Sequence, residues 1–200
     1  KAPIIIVVSN PLDVMTYAAF KTAGLPATKV FGMAGILDTA RYRAFLPEAL
    51  QVSPKDIQAV VMGGHGDTMV PLPRYTTVAG IPVTELIDEA RLSAIVERTK
   101  SGGGELVNLM GTSAWYAPGA AAAQMVEAIV KDENRIFPCC VNLSGQYGLH
   151  DTFVGIPVKL GKAGITEMIE LKLNADEMKL LHDSSVAVKS VMDVYDGMGL

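Results

Sequence analysis

Ile57-Gln58-Ala59-Val60-Val61-Met62-Gly63-Gly64-His65-Gly66-Asp67 is the stretch from which the rest of the chain can be read. Ile57 to Met62 is a short apolar run and predicts a buried strand. The loop after it places glycine on both sides of a histidine. Glycine permits backbone angles closed to other residues and lets another molecule come close to the chain. Histidine has the unperturbed side-chain pKa nearest neutrality, so it exchanges protons there. The plainer reading of a lone histidine is a loop residue whose imidazole satisfies a backbone group. The flanking glycines and nearby Asp67 count against that reading, and Asp38 and Arg41 upstream count further.

Working back to the start, Lys1 to Val8 is continuous and β-branched and reads as a buried strand, ended by Ser9-Asn10-Pro11. Pro11 suits the first turn of a helix that runs to about Ala23, with Gly24 as its stop. Lys29 to Phe31 predicts a short strand. A turn over Gly32 to Gly35 leads into a helix from about Ile36, which Pro47 is expected to break or restart. Beyond the histidine loop, Arg74 to Val78 reads as extended, with a turn at Ala79-Gly80. Ile81-Pro82-Val83 leads through Thr84 into a helix reaching Lys100. Gly102-Gly103-Gly104 is expected to break or kink it; the triplet lacks the Lys-Ser/Thr of a phosphate-binding P-loop. Ala117 to Val130 is small and apolar, a helix for close packing. Arg135 to Leu143, Phe153 to Leu160 and Thr166 to Lys172 predict three consecutive strands with glycine turns between them. Asn174 with Glu177 forms a capping-box pattern for a last helix to about Tyr195.

The fold class expected from this order is α/β plus α+β. Residues 1–32 read as the end of a parallel α/β sheet and 33–200 as a separate α+β unit. Half of the 200 residues are apolar, enough for one sizeable core, and the net charge is -4. No Lys/Arg cluster offers the basic face of a nucleic-acid binder. Ile4 to Val8 and Ala120 to Ala123 fall far short of the ~20 apolar residues that span a bilayer, and no signal-peptide pattern opens the chain. Cys139 and Cys140 are neighbours in an expected strand and point to opposite faces, so they read as buried free thiols in a reducing compartment. The chain opens on Lys1 almost directly into a strand, which leads to the expectation of a fragment whose protein continues upstream.

Asp38 and Arg41 are three apart on an expected helix and project from one face. An exposed pair of this kind contributes only a few tenths of a kcal/mol. Here the neighbours Ile36, Leu37 and Phe45 are apolar, and a carboxylate and guanidinium at a buried helix end need partners. His65 suits Asp38: a carboxylate on one ring nitrogen fixes the tautomer and favours the imidazolium. Arg41 is then available to grip a planar anion with its fork. Asn10 sits where the first strand ends, the place where ligands lie in open α/β sheets; the plainer reading is a cap on the helix at Pro11. His150 and His182 have no partner at ligand spacing, so no metal site is expected.

Ser9-Asn10-Pro11-Leu12-Asp13, Gly35-Ile36-Leu37-Asp38-Thr39-Ala40-Arg41 and Gly64-His65-Gly66-Asp67 resemble, in order and separation, three signature segments of the lactate/malate dehydrogenase family. Gly111-Thr112-Ser113-Ala114-Trp115-Tyr116-Ala117-Pro118 resembles the helix start beside the nicotinamide in that family. The pattern is closest to the malate-using, lactate-dehydrogenase-like branch and covers essentially the whole chain.

The resemblance implies a fold in which the end of a Rossmann-type sheet is followed by the family's carboxyl-terminal domain, with NAD as cofactor. It implies His65 as proton donor and acceptor, Asp38 as its orienting partner and Arg41 as the holder of the substrate carboxylate. It further implies Asn10 on the substrate oxygen, Ser113 lining the site, and Val8, Ser9 and Asn10 beside the cofactor. The implied substrates are malate and oxaloacetate, small dicarboxylates, with lactate or another 2-hydroxy acid as the alternative. A homodimer or homotetramer in the cytoplasm is implied too. A catalytically silent homologue serving as a binding module is the reading from another class; the presence together of Asp38, Arg41 and His65 argues against it. The family's glycine-rich dinucleotide turn, its acidic follower and the loop arginines are not in this sequence and are expected upstream.

Overall fold

Residues 2–113 and 115–199 are described in the computed structural model; Lys1 of the expected first strand, Ala114 of the Gly111 to Pro118 segment and Leu200 of the 33–200 unit lie outside them. A parallel pair opens the sheet. Strand β1 (Ile5–Val7) lies beside β2 (Val30–Gly32), Ile5 facing Val30, with helix α1 (Leu12–Ala23) crossing between them. The helix stops at Gly24, whose φ of 61° is left-handed, as its glycine suggested. Asn10 does not cap it: the helix start carries no side-chain cap bond.

Helix α2 (Ala34–Leu50) begins before the expected Ile36, because Ala34 and Gly35 are already buried against the sheet. It also runs unbroken through Pro47. The proline falls in the last turn, where it forfeits the N–H bond to the Arg43 carbonyl four residues back. Tyr42 and Leu46, both fully buried, hold the helix in place, and Gln51 N–H closes on the Pro47 carbonyl at 2.8 Å.

The expected strand over Ile57 to Met62 is two strands in two sheets. Strand β3 (Ile57–Gln58) joins a three-stranded sheet, whereas β4 (Val61–Gly63) and β5 (Met69–Pro71) form a hairpin in the main one. Pro73–Tyr75 is a 3-10 turn, not extended chain, and β6 (Thr77–Val78) turns through Ala79-Gly80 into β7 (Ile81–Pro82), completing the small sheet. Val83–Glu85 is a further 3-10 turn, after which Asp88 caps helix α3 (Glu89–Met110) by accepting from Arg91 N–H at 2.9 Å.

Helix α3 passes straight through Gly102-Gly103-Gly104, against expectation. The glycines are a packing surface: a Cβ on Gly102 would meet the Phe45 ring at 3.5 Å, and one on Gly103 the Arg41 guanidinium at 3.4 Å. Contact with α2 outweighs the roughly 1 kcal/mol that each glycine costs a helix.

Helix α4 (Tyr116–Val130) is followed by an antiparallel meander of β8 (Arg135–Ser144), β9 (His150–Gly161) and β10 (Gly164–Met168). The last strand stops at Met168 rather than Lys172, because Tyr147 Oη takes the Leu171 N–H at 2.8 Å and draws the chain out of the ladder. Helix α5 (Ala175–Gly197) starts on the expected capping box of Asn174 and Glu177.

The main sheet has seven strands in the order β1-β2-β8-β9-β4-β5, with β10 also on β9. β2 is therefore parallel to β1 on one side and pairs antiparallel with β8 at Gly32 and Cys140 on the other. Helices α1, α2, α4 and α5 bury apolar residues against this sheet, around Phe31, Met125, Phe153 and Leu181. A second cluster, around Tyr42, Leu46 and Ile57, fills the space between α2, α3 and the small sheet. Cys139 and Cys140 are buried and free, as the strand geometry required. No described helix is long and apolar enough to cross a membrane.

Candidate active site

The histidine loop joins β4 to β5 and is tied down from two helices. Gly64 N–H donates to Ser184 Oγ of α5 at 2.8 Å, and His65 N–H donates to Asp13 Oδ2 of α1 at 2.7 Å. Position 64 has no room for a side chain: a Cβ there would lie 2.8 Å from Thr68 Oγ1 and 2.9 Å from a Val188 methyl. The loop therefore holds the imidazole in one place rather than merely permitting it.

On α2, Asp38 and Arg41 share a face, and their ion pair is 3.2 Å long. Asp38 is 1% exposed. Its second oxygen, Oδ2, stands 2.8 Å from His65 Nδ1. The carboxylate thus accepts a hydrogen bond from Nδ1–H and leaves Nε2, which has no bonded partner among the described residues, as the ring nitrogen able to exchange a proton with a ligand.

Burial of the imidazole works to lower its proton affinity. The hydrogen bond and charge of Asp38, with the charge of Asp13 behind, outweigh burial and the opposing Arg41 charge, so the pKa of His65 stands above its ordinary value. This is the state a proton donor needs near neutrality.

His65 and Arg41 line a cavity of about 780 Å³, together with Val8, Ser9, Asn10 and Ser113. Val8, 39% exposed, and the exposed Ser9 and Asn10 form its edge where β1 ends. Ser113 comes from the link between α3 and α4. Arg41 Nε is enclosed without a hydrogen-bond partner among the described residues. Asp38 sits behind the wall and reaches the cavity only through His65 and Arg41.

The sequence-derived residues are thus brought together: Asp38, Arg41 and His65 in mutual contact or one residue removed, Val8, Ser9, Asn10 and Ser113 around the same space. His182 stands apart, its Nε2 2.8 Å from the Tyr147 carbonyl. Sequence reasoning did not single out Asp13, which holds the histidine loop, nor Lys100, Gly103 and Gly104, which form the α3 wall of the cavity. An acidic residue in a first helical turn is ordinary dipole complementation, so Asp13 carried no local signal. The glycines of α3 carried one, but it pointed to a break.

Residues 36–195 match the description of the lactate/malate dehydrogenase alpha/beta C-terminal domain. The chain is 67% identical over 195 residues to a malate dehydrogenase of Cytophaga hutchinsonii, covering 98% of this chain and 62% of that one. It is 63% identical over 189 residues to a malate dehydrogenase of Salinibacter ruber, covering 94% and 60%. The solved structure of the Salinibacter ruber enzyme superposes with a TM-score of 0.95 at 61% identity, over 98% of this chain and 64% of that one. A malate dehydrogenase of Plasmodium falciparum in complex with NADH superposes with a TM-score of 0.91 at 39% identity, over 95% and 64%. The chain spans about three fifths of the length of these curated relatives.

Proposed function

The chain belongs to the lactate/malate dehydrogenase family, and from that premise we propose that the full protein is an NAD-dependent malate dehydrogenase interconverting (S)-malate and oxaloacetate. The observation that carries this reading is the meeting of Asp38, His65 and Arg41 at one cavity, with His65 Nδ1 2.8 Å and Arg41 3.2 Å from Asp38 and both lining the cavity wall. NADH supplies the hydride to C2 of the 2-oxo acid, and NAD takes it in the reverse direction. Val8, Ser9 and Asn10 fit a nicotinamide, since all three are exposed at the carboxyl end of a parallel strand and border the cavity.

The chain's own residues do the rest. His65 Nε2 gives a proton to the C2 oxygen in reduction and removes it in oxidation. Asp38 keeps the other ring nitrogen protonated and stabilises the imidazolium. Arg41 clasps the carboxylate next to the reacting carbon with its planar fork. Asn10 donates its amide to the C2 oxygen, and Ser113 lines the same cavity. Residues 1–32 are the end of the dinucleotide-binding unit and 33–200 the substrate unit. The protein works as a homodimer or homotetramer in the cytoplasm, a setting that suits the two buried free thiols.

The test is the absorbance of NADH with the full-length protein that contains this chain, offered oxaloacetate or pyruvate. Faster kcat/KM with oxaloacetate supports the reading. A preference for pyruvate overturns the choice of malate, and no oxidation of NADH with either overturns the enzyme.

A further inference from the structure

Lys100 is a cation in the wall of the active-site cavity to which the proposed chemistry gives no task. Among the described residues, the charged or titratable side chains that line this cavity are Arg41, His65, Asp67 and Lys100. Asp38 answers the Arg41 charge from behind the wall at 3.2 Å. The partner of Lys100 among the described residues is Glu97, at 2.7 Å and three residues back on the same helix. That glutamate side chain is 70% exposed, whereas the Lys100 side chain is 25% exposed. An ion pair at this spacing is weak when water screens one of its members. The lysine is therefore the covered end of a loose pair, and a carboxylate in the cavity can take the place of Glu97.

The repeat of α3 sets Lys100 relative to Arg41. The Arg41 guanidinium lies against Gly103, where an added Cβ would meet Nη2 at 3.4 Å and Nη1 at 3.5 Å. Lys100 is three residues before Gly103, and positions three apart on a helix are neighbours on one face, roughly 5–6 Å apart. Gly103 and Gly104 carry no side chain and also line the cavity. The lysine's flexible four-carbon stem thus carries its ammonium along a bare face of α3, one helical turn from the guanidinium.

We propose that Lys100 is a specificity residue: its ammonium takes the second carboxylate of a dicarboxylate whose first carboxylate Arg41 holds. This deepens the proposed function and rests on it. In oxaloacetate two carbons separate the carboxylates, so one helical turn and the lysine stem span both. Pyruvate has a methyl group in place of the second carboxylate. It leaves Lys100 on Glu97 and gains the Arg41 contact alone.

The experiment is Lys100→Met in the full-length protein, with Lys100→Arg and Glu97→Gln beside it. Methionine keeps an unbranched stem and a good helix propensity, so α3 is retained. The ratio of kcat/KM for oxaloacetate to that for pyruvate is expected to fall about tenfold or more in Lys100→Met, the worth of one charge-assisted hydrogen bond. The fall is expected chiefly in KM for oxaloacetate. Lys100→Arg is expected to keep the ratio within a factor of a few. Glu97→Gln removes the pair but leaves the cation, and is expected to keep the ratio or raise it. An unchanged ratio in Lys100→Met overturns the proposal. So does an equal fall in Glu97→Gln, which makes the ion pair and not the cavity charge the cause. The full-length protein also brings the upstream sequence, so the ratio reads what Lys100 adds to it. A second reading needs no turnover: calorimetry with succinate and with butyrate in the presence of NADH. The parent is expected to bind succinate more tightly than butyrate, and Lys100→Met to lose that preference. A preference kept in the folded variant overturns the proposal. A parent that oxidises no NADH fails the proposed function instead, and the calorimetry still decides on Lys100.

Discussion

Asp38 Oδ2 stands 2.8 Å from His65 Nδ1, while the other oxygen of the same carboxylate holds Arg41 at 3.2 Å. One buried acid thus touches both the imidazole and the guanidinium to which the proposed mechanism assigns the proton and the substrate carboxylate. Asp38→Asn keeps the shape and removes the charge that stabilises the imidazolium. It is expected to lower kcat by about 10²- to 10⁴-fold, the usual weight of a positioned acid or base. Steady-state kinetics check this, and turnover within a factor of a few of the parent contradicts it.

Arg41 lines the cavity with a planar guanidinium held by Asp38. Lysine replaces the fork with a point charge. Arg41→Lys is expected to raise KM for oxaloacetate by about 10- to 100-fold, the worth of a charge-assisted hydrogen bond. An unchanged KM removes Arg41 from substrate binding.

The proton affinity of His65 also bears on stability. Its folded pKa is raised, after the Asp38 and Asp13 interactions overcome burial. A group raised on folding contributes stability that is whole below its unfolded value, about 6.5 for histidine, and lost as pH climbs through the folded value. The difference in thermal midpoint between the parent and His65→Gln is therefore expected to narrow from about pH 6 to about pH 9. A difference that widens over that range contradicts the assignment.

The start of α5 is held by Asn174, whose side chain accepts Glu177 N–H at 2.8 Å while Glu177 reaches back to Asn174 N–H at 2.9 Å. Arg74 adds a bond to the same carboxylate. Asn174→Ala is expected to cost about 1 kcal/mol, the usual worth of such a cap, with kcat and KM unchanged. Denaturant titration alongside an activity assay checks both halves.

The placement of Asp38, Arg41 and His65 was legible because each is a polar group in an apolar or glycine setting, and such groups call for partners. The β8 to β10 meander and the α5 cap were legible because glycine turns and capping pairs are local. What was not legible depends on distant contacts. Pro47 and Gly102 to Gly104 read as breaks, but burial of Tyr42 and Leu46 and the fit of Phe45 and Arg41 against α3 override local preference. Ile57 to Met62 read as one strand because an apolar run does not name its partners, Val78 for one half and Pro71 for the other. Asp13 looked like any acid at a helix start, and only its contact with His65, distant in sequence, gives it a role.

His65 is the group proposed to exchange the substrate proton. The kcat of the full-length His65→Ala variant in oxaloacetate reduction measures this most directly. A loss of about 10²-fold or more, with the fold intact, is the predicted result. Turnover near that of the parent would contradict the account.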